Sequence, residues 1–237
     1  MYNQKEKQDI AVVLRIAELE ENPVQGKFDI AHLKETHRRI FQDFPKLGSD
    51  ITPGQFRPSV GNNLDWVKTR QLESVNAISN VAYSNMSSDV QKKLNKILST
   101  IDTKKLSKLD KKEFSKSIAD LYIAIDYIHP FKDGNSRTLR TFTKQIAKES
   151  GYALEWEALN KSPAGRDILY IARDISVNKI ALTLAKTDGT KRDITFTLDQ
   201  LGNNRDMHEL MKDIIQPMHE KERQQIPAKK NHEEHER

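Results

Sequence analysis

The chain of 237 residues is 36% apolar and 31% charged, which suffices for one globular core with at most a small appendage. It contains no cysteine, which excludes disulfides, thiolate metal sites and a cysteine nucleophile. Its first residues are polar, and the first apolar patch is interrupted by Arg15, so neither a signal peptide nor a membrane span fits. We therefore expect synthesis in the cytosol, with export into another cell left open.

The formal net charge of +5 raises the question of a nucleic-acid partner. Between Gln91 and Glu113, however, eight lysines stand against three acidic residues, a local excess that equals the net charge of the whole chain. No aromatic side chain interleaves with these lysines to stack bases. The pattern favours a solvated surface, and neither nucleic acid nor a membrane is the expected partner.

Helical periodicity dominates the first part of the chain. A first helix ends within 21–26, and its predicted apolar face consists of Ile10, Val13, Leu14 and Ala17. A second helix spans 30–44 and stops at Pro45. Glycine and proline then indicate a surface loop or short hairpin over 45–65.

The periodicity further along the chain predicts helices over 65–84, 88–99, 113–128, 136–150, 166–177 and 206–216. Alternation over 179–185 and 193–198, around Thr187-Asp-Gly-Thr190, indicates a small β-hairpin. The last stretch, 217–237, mixes charges with few apolar residues and is expected to be disordered.

The most informative segment is His129-Pro-Phe-Lys-Asp-Gly-Asn-Ser-Arg-Thr-Leu-Arg140, between two predicted helices. Pro130 ends the first helix and turns the histidine before it out of the helical ladder. Gly134 permits a positive φ, and Asn135 or Ser136 can cap the next helix, so backbone N–H groups face outward at a positive helix end. This arrangement predicts an anion cradle.

Charged residues surround the predicted cradle. Arg137 and Arg140 lie one turn apart on one helix face, so two guanidinium groups converge on it as a polyphosphate clamp. Asp133 is acidic within this basic ring, which is typical of a carboxylate that shares Mg²⁺ with substrate phosphates. Phe131 is expected to bury its ring and fix the loop. The alternative is a plain helix–turn–helix in which the arginines are surface charges and His129 is a partly buried histidine.

The segment resembles the Fic family motif H-P-F-x-D/E-G-N-G-R-x-x-R, with Ser136 in place of its second glycine. Upstream, Phe28-Asp-Ile-Ala-His-Leu33 through His37 to Phe41-Gln-Asp43 resembles the F-D-x-x-H-L-x-x-x-H-x-x-L/I-F-x-D helix of the same family. The resemblance implies an all-α, Fic-type helical bundle with a surface flap hairpin. The expected units are a catalytic domain over 1–178, a β-hairpin and helix over 179–216, and the tail.

The resemblance also implies a protein adenylyltransferase, a nucleotidyltransferase that moves AMP from ATP to a Ser, Thr or Tyr hydroxyl of a target protein. By resemblance, His129 is the general base, Asp133 holds Mg²⁺, and Arg137 and Arg140 hold the β and γ phosphates. Asn135 contacts the α-phosphate, and the target protein docks at a flap placed at 51–60. The nucleotide-binding residues implied by the family are Phe131, Gly134, Asn135, Ser136, Arg137 and Arg140.

Ser136 departs from the family pattern. If the backbone there had a positive φ, a Cβ would cost roughly 1 kcal/mol or more and would shift the cradle. If φ is helical, the serine is harmless and its hydroxyl adds a donor. We favour the helical case because the position opens a helix, and we expect S136G to change the transfer rate by less than about tenfold.

The sequence leaves the regulation of the chain and its exact activity open. Family members are often restrained by a helix with the pattern S/T-x-x-x-E-G/N, but the residue four places before Glu21-Asn22 is Ala17, so this pattern is incomplete. The chain is therefore expected to be unrestrained or silenced by a small antitoxin-like partner, as a toxin or a secreted effector. The alternatives are transfer of another phosphate-containing group and a catalytically impaired relative that acts as a binding module.

Overall fold

The computed structural model describes residues 2–161 and 163–219. Its helices are α1 (Gln4–Glu21), α2 (Ile30–Phe41), α3 (Ser88–Ser99), α4 (Thr103–Leu106), α5 (Lys111–Ile128), α6 (Asn135–Glu149), α7 (Pro163–Leu184), α8 (Asp188–Leu201) and α9 (Met207–Ile214). The strands β1 (Trp66–Leu72) and β2 (Ala77–Tyr83) form one antiparallel pair, and β3 (Tyr152–Leu154) and β4 (Ile215–Pro217) form another. The expected mostly helical Fic-type bundle is confirmed, but its hairpin lies at 66–83, and the segment 51–60, predicted as the flap hairpin, forms a turn and loop without strands. Almost all of the predicted disordered tail, 220–237, lies outside the described residues.

Helix α5 forms the centre of the main core. Asp110 and Glu113 form a capping box at its start, which satisfies backbone N–H groups that have no helical partner. Leu121 is partly buried, and apolar side chains at helical spacing along the helix are almost fully buried: Phe114, Ile118, Tyr122, Ile125 and Ile128. Burial of each such side chain stabilises the fold by roughly 1.5–3 kcal/mol. This packing against α3, α6, α7 and α9 fixes the position at which α5 ends.

Helix α1 is confirmed, but its predicted apolar face is wrong. Its buried residues are Val12 and Leu19, whereas Ile10 is 43%, Val13 66% and Leu14 64% exposed. The helix packs mainly on α2, and that contact selects a different stripe of its surface. None of the helices in the described ranges has the length and apolar character needed to cross a membrane.

Residues 66–83 form an antiparallel hairpin, so the helix predicted over 65–84 is wrong. The register runs from Trp66 opposite Tyr83 to Leu72 opposite Ala77. Burial alternates along β1, as the two-residue period of a strand requires. Asn76, with a φ of 46°, supplies a left-handed residue in the connection. The hairpin packs on α7 and α8, and this tertiary cover decides the conformation of an ambiguous segment.

The β-hairpin predicted over 179–185 and 193–198 is also wrong, because these residues belong to α7 and α8. The intervening Thr187 caps α8, its hydroxyl accepting a hydrogen bond from the N–H of Thr190 at 3.1 Å. The apolar residues that suggested alternating strands include Ala181 and Ile194, which pack against Ala82 of the hairpin. The C-terminal helices thus cover β2 and complete the wall behind it.

Candidate active site

His129 lies where α5 ends, with a left-handed backbone (φ 49°, ψ 61°) at the helix C-cap. Its N–H still donates to the carbonyl of Ile125 at 3.0 Å, while Pro130 prevents any further helical turn. The side chain is 5% exposed, and its ring lies 3.8 Å from that of Tyr83, centroid to centroid. The predicted displacement of this imidazole from the helix is therefore present, and the ring lines a cavity that also contains the start of α6.

Arg57 clamps the backbone of this turn to the hairpin. Its Nε donates to the carbonyl of His129 at 2.8 Å, and its terminal nitrogen donates to that of Ser84 at 2.6 Å. The guanidinium lies 3.8 Å over the Trp66 ring, and burial lowers the pKa of Arg57 to about 9. The interaction was not predicted, because nothing local in the sequence indicates that this arginine is buried.

The imidazole of His129 is neutral near pH 7. Burial lowers the pKa of His129 to about 4 despite the opposing influence of the nearby Asp126 carboxylate. The Nδ1 atom lies 3.4 Å from Oδ1 of Asp126. Because a neutral imidazole has one unprotonated nitrogen, the site contains a base that can take a proton from a bound hydroxyl.

The loop from Phe131 to Gly134 is held in a fixed shape by its own side chains. The Asn135 amide accepts from the Phe131 N–H at 2.9 Å and donates to the Phe131 carbonyl at 2.7 Å. The Phe131 ring is buried and stacks on His37 at 3.9 Å between centroids, which confirms its predicted burial. The Asn135 side chain thus closes the loop, a different contact from the phosphate contact implied by the resemblance.

His37 joins the loop to the upstream helix. Its Nδ1 accepts from the Gly54 N–H at 2.9 Å, and its Nε2 lies 3.2 Å from the Asp133 carbonyl, to which it donates. Burial lowers the pKa of His37 to about 4, so the ring is neutral and serves both contacts with one proton. His37 is therefore a buried residue that fixes the loop to α2.

Gly134 is required by both backbone and space. Its φ is 77°, and a Cβ at this position would lie 2.3 Å from Cζ of Phe41. The left-handed residue turns the chain into α6, whose first residues line the cavity with N–H groups that have no helical partner. Ser136 lies within α6 and is not among the described residues with a positive φ. The serine therefore fits the helical backbone, as predicted.

Arg137 and Arg140 both line the cavity, as predicted, and neither has an ion-pair partner among the described residues. The Arg137 guanidinium lies 4.9 Å from the centroid of the Phe41 ring. Burial lowers the pKa of Arg140, and its Nε is buried without a hydrogen-bond partner. Two guanidinium groups with unmet hydrogen-bonding capacity beside a helix N-terminus favour a bound polyanion.

The cavity has a volume of about 580 Å³ and is strongly basic. The hairpin contributes Lys68 and Arg70, and α7 contributes Arg166, Tyr170 and Arg173. These residues were missed from the sequence. For Arg173 there was a signal, since an Arg-Asp pair interrupts the apolar run of α7. For Lys68 and Arg70 there was none, because the segment was predicted to be a helix.

The Asp133 carboxylate lies at the exposed rim of this cavity and accepts a hydrogen bond from the Gly134 N–H at 2.6 Å. Within the described ranges no three His, Asp or Glu side chains cluster as a metal site would require. A lone carboxylate beside a phosphate-binding surface is the donor set that Mg²⁺ uses when phosphates complete its coordination. The residues present therefore fit Mg²⁺ bound together with a nucleotide.

The Fic/DOC family model matches residues 27–147, about half of the chain and the whole of the loop between α5 and α6. With the site geometry described above, this match shows that the chain belongs to the Fic/DOC family.

The chain is similar to named protein adenylyltransferases. It is 28% identical over 154 residues to protein adenylyltransferase VbhT of Bartonella schoenbuchensis, covering 65% of this chain and 28% of that protein. It is 27% identical over 150 residues to the probable protein adenylyltransferase Fic of Escherichia coli K12, covering 62% of this chain and 63% of the relative. The chain thus matches only part of the length of these relatives.

Solved structures show the same fold. The N-terminal Fic domain of a VirB-translocated Bep effector of Bartonella quintana, solved with bound ADP, matches with a TM-score of 0.59 and 20% identity, covering 91% of this chain and 86% of that one. The BepC protein of Bartonella tribocorum, solved with bound AMPPNP, matches with a TM-score of 0.59 and 18% identity, covering 91% and 88%.

Proposed function

We propose that this chain is a protein adenylyltransferase that moves AMP from ATP to a hydroxyl of a target protein. One observation carries the proposal: a neutral buried imidazole, a helix N-terminus and two arginines that have no ion-pair partner among the described residues line the same cavity. The family membership, the names of the relatives and the adenine nucleotides bound to Bartonella neighbours support it.

The proposed reaction assigns one task to each side of the cavity. His129 takes the proton of the acceptor hydroxyl, whose oxygen attacks the α-phosphorus of ATP, and pyrophosphate leaves. The N–H groups at the start of α6 face the charge that builds on the α-phosphate. Arg137 and Arg140 hold the β and γ phosphates and stabilise the departing pyrophosphate. Asp133 would hold Mg²⁺, which when bound neutralises phosphate charge.

The hairpin is the proposed docking element for the target, in place of the segment 51–60 suggested by the sequence. β2 is covered on its far side, where its N–H groups at Asn80 and Ala82 donate to side chains of α8 and α7. β1 pairs only with β2 in the described sheet, so its outer edge offers backbone groups for an extended target segment. Strand addition there would bring an acceptor residue to the cavity lined by Lys68 and Arg70.

Labelled ATP tests the proposal. Protein incubated with cell lysate and α-labelled ATP is expected to transfer label to a protein band that lysate alone does not label, whereas with γ-labelled ATP it is expected to add no label beyond that of lysate alone. His129→Ala should abolish the transfer, and His208→Ala is the matched control because that histidine pairs with Asp120 away from the cavity.

The other labelling patterns identify the alternatives. Retention of the γ label would indicate phosphate transfer, and retention of neither label would indicate a binding module. The small inhibitory partner, the toxin or effector role and export stay predictions. Purification of the protein from its own source would test the inhibitory partner, which should co-purify as a second chain.

A further inference from the structure

We infer that Asp126 and Arg173 form a positioning pair for the base: Asp126 accepts the Nδ1–H of His129, which leaves Nε2 unprotonated toward the cavity. The inference rests on the proposed function, because it concerns the residue that takes the proton of the acceptor. Neither residue belongs to the loop motif, and Arg173 lies on a different helix, α7.

Asp126 stands one helical turn before His129, on the last turn of α5. Its side chain is fully buried, and its Oδ1 lies 3.4 Å from the Nδ1 of His129. That separation is longer than an ideal hydrogen bond, and Nδ1 is buried without a hydrogen-bond partner among the described residues. The Asp126 carboxylate is the acceptor placed to meet this need, and catalytic contacts of this kind are often long before substrate binds. The left-handed backbone at His129 turns the ring back toward this carboxylate.

Arg173 keeps Asp126 ionised. Its Nε and a terminal nitrogen donate to the two carboxylate oxygens at 2.8 Å and 2.7 Å, a bidentate contact between two buried groups. Burial alone would raise the pKa of Asp126, but the Arg173 and His129 interactions hold that pKa below its ordinary value. Asp126 therefore remains an acceptor, and a neutral His129 must present Nδ1–H to it.

Among the described residues, the other side chains recorded around the ring give Nδ1 no competing acceptor. Tyr83 and Trp66 contact the imidazole through their rings, at 3.8 Å and 5.4 Å between centroids. The Tyr83 hydroxyl accepts from Arg70 at 2.9 Å, and Arg57 binds the backbone carbonyl of His129. The remaining charged neighbour on β1, Lys68, is a donor. Asp126 is thus the acceptor that selects the tautomer.

The consequence for transfer is a fixed proton path. The acceptor hydroxyl gives its proton to Nε2, its oxygen forms the bond to the α-phosphorus, and pyrophosphate leaves with the electrons of the broken P–O bond. His129 is then an imidazolium whose Nδ1–H still donates to the Asp126 carboxylate. That carboxylate stabilises the imidazolium without itself becoming protonated.

Nitrogen NMR of the histidine rings tests the tautomer without any activity measurement. In ¹⁵N-labelled protein near pH 7, the His129 ring, identified by its loss in His129→Ala, is expected to show a protonated Nδ1 and an unprotonated Nε2. Asp126→Asn should remove this preference. Asp120→Asn is the matched control. Asp120 lies on α5, like Asp126, and also contacts a histidine, His208 of α9, but this contact lies outside the cavity. A wild-type His129 protonated on Nε2 would overturn the inference.

Kinetics give a second measurement. Asp126→Asn is expected to lower kcat for AMP transfer by about 100-fold or more, while the KM for ATP changes by less than about threefold. Because removal of one partner of a buried pair can unfold the protein, Asp126→Asn/Arg173→Gln removes both charges together. The double variant should fold and show the same loss of kcat. A folded double variant with wild-type kcat would contradict the positioning role.

These measurements separate the inference from the function on which it rests. A wild-type chain with the predicted tautomer that transfers no AMP would refute the proposed function but not the tautomer. A wild-type chain that transfers AMP with the opposite tautomer would refute the positioning role alone.

Discussion

The loop between α5 and α6 and the β1–β2 hairpin face each other across one cavity, yet they depend on the sequence in different ways. The loop is shaped by its own residues, such as Gly134 with its positive φ and Asn135 with its amide closed on Phe131. The hairpin owes its shape to helices more than 90 residues away, through contacts such as that of Asn178 with the backbone of Ala82. A site segment whose shape depends on its own residues can be predicted from the sequence. A segment whose shape depends on contacts with distant helices can be placed only once the fold is known.

The largest effect is expected in the loop. Gly134→Ala places a Cβ 2.3 Å from Phe41 Cζ on a backbone with φ 77°, so either the aromatic ring or the cradle must move. We expect loss of AMP transfer by about 100-fold or more and a lower melting temperature, measured by the labelling assay and by calorimetry. Gly61→Ala is the control, since that glycine also has a positive φ but no atom within 4 Å of its Cβ position. Equal effects of the two substitutions would refute the steric argument.

The second largest effect is expected at Arg57, which links the loop to the hairpin through hydrogen bonds. Arg57→Met keeps much of the side-chain length but removes donors to the carbonyls of His129 and Ser84. Because those buried carbonyls would lose their partners, we expect destabilisation of about 1–3 kcal/mol in denaturant unfolding, together with reduced transfer. Arg38→Met, which breaks an exposed ion pair with Glu35, should leave both quantities nearly unchanged. An Arg57→Met protein of wild-type stability would show that the clamp is not needed.

Stability against acid is expected to decline early because of two histidines. The pKa values of His129 and His37 are lowered to about 4, below their ordinary value of 6.5. The unfolded chain therefore binds more protons between these values, and the stability present above pH 6.5 is lost as the pH falls toward 4. The free energy of unfolding should drop by a few kcal/mol across this window.

The His37→Gln variant separates the two contributions. Its stability should decline less steeply than that of the wild type over the same pH range, because one of the two titrating groups is gone. Urea unfolding at a series of pH values gives both slopes, and equal slopes would contradict the assignment to His37.

The smallest effect is expected at Ser136. Since the residue lies in the first turn of α6 with no positive φ, its Cβ does not strain the cradle. Ser136→Gly should change the transfer rate by less than about tenfold. An inactive wild type that this single substitution restores would show that serine, not the hairpin or the loop geometry, controls the site.

The elements predicted correctly from the sequence are those whose signals are local. The helices flanking the motif were found because an apolar stripe at helical spacing and a proline after His129 are local signals. The hairpin was missed because its turn contains Asn76, without an adjacent glycine, and its strands are covered by α7 and α8. Parts of α7 and α8 were mistaken for strands because their apolar residues alternate on both sides of Thr187-Asp-Gly-Thr190, which caps and begins α8 instead of forming a hairpin turn. Asp126 and Arg173 are charged residues within largely apolar helices. Such residues indicate that a buried partner exists, but the sequence does not show which residue that partner is.

Mass spectrometry of lysate treated with ATP and this protein tests the central claim most directly. The account predicts adenylylated Ser, Thr or Tyr residues on a target protein, present with the wild type and with His208→Ala, and absent with His129→Ala. Adenylylation that persists undiminished in His129→Ala, or its absence with a folded wild type that binds ATP, would contradict the account.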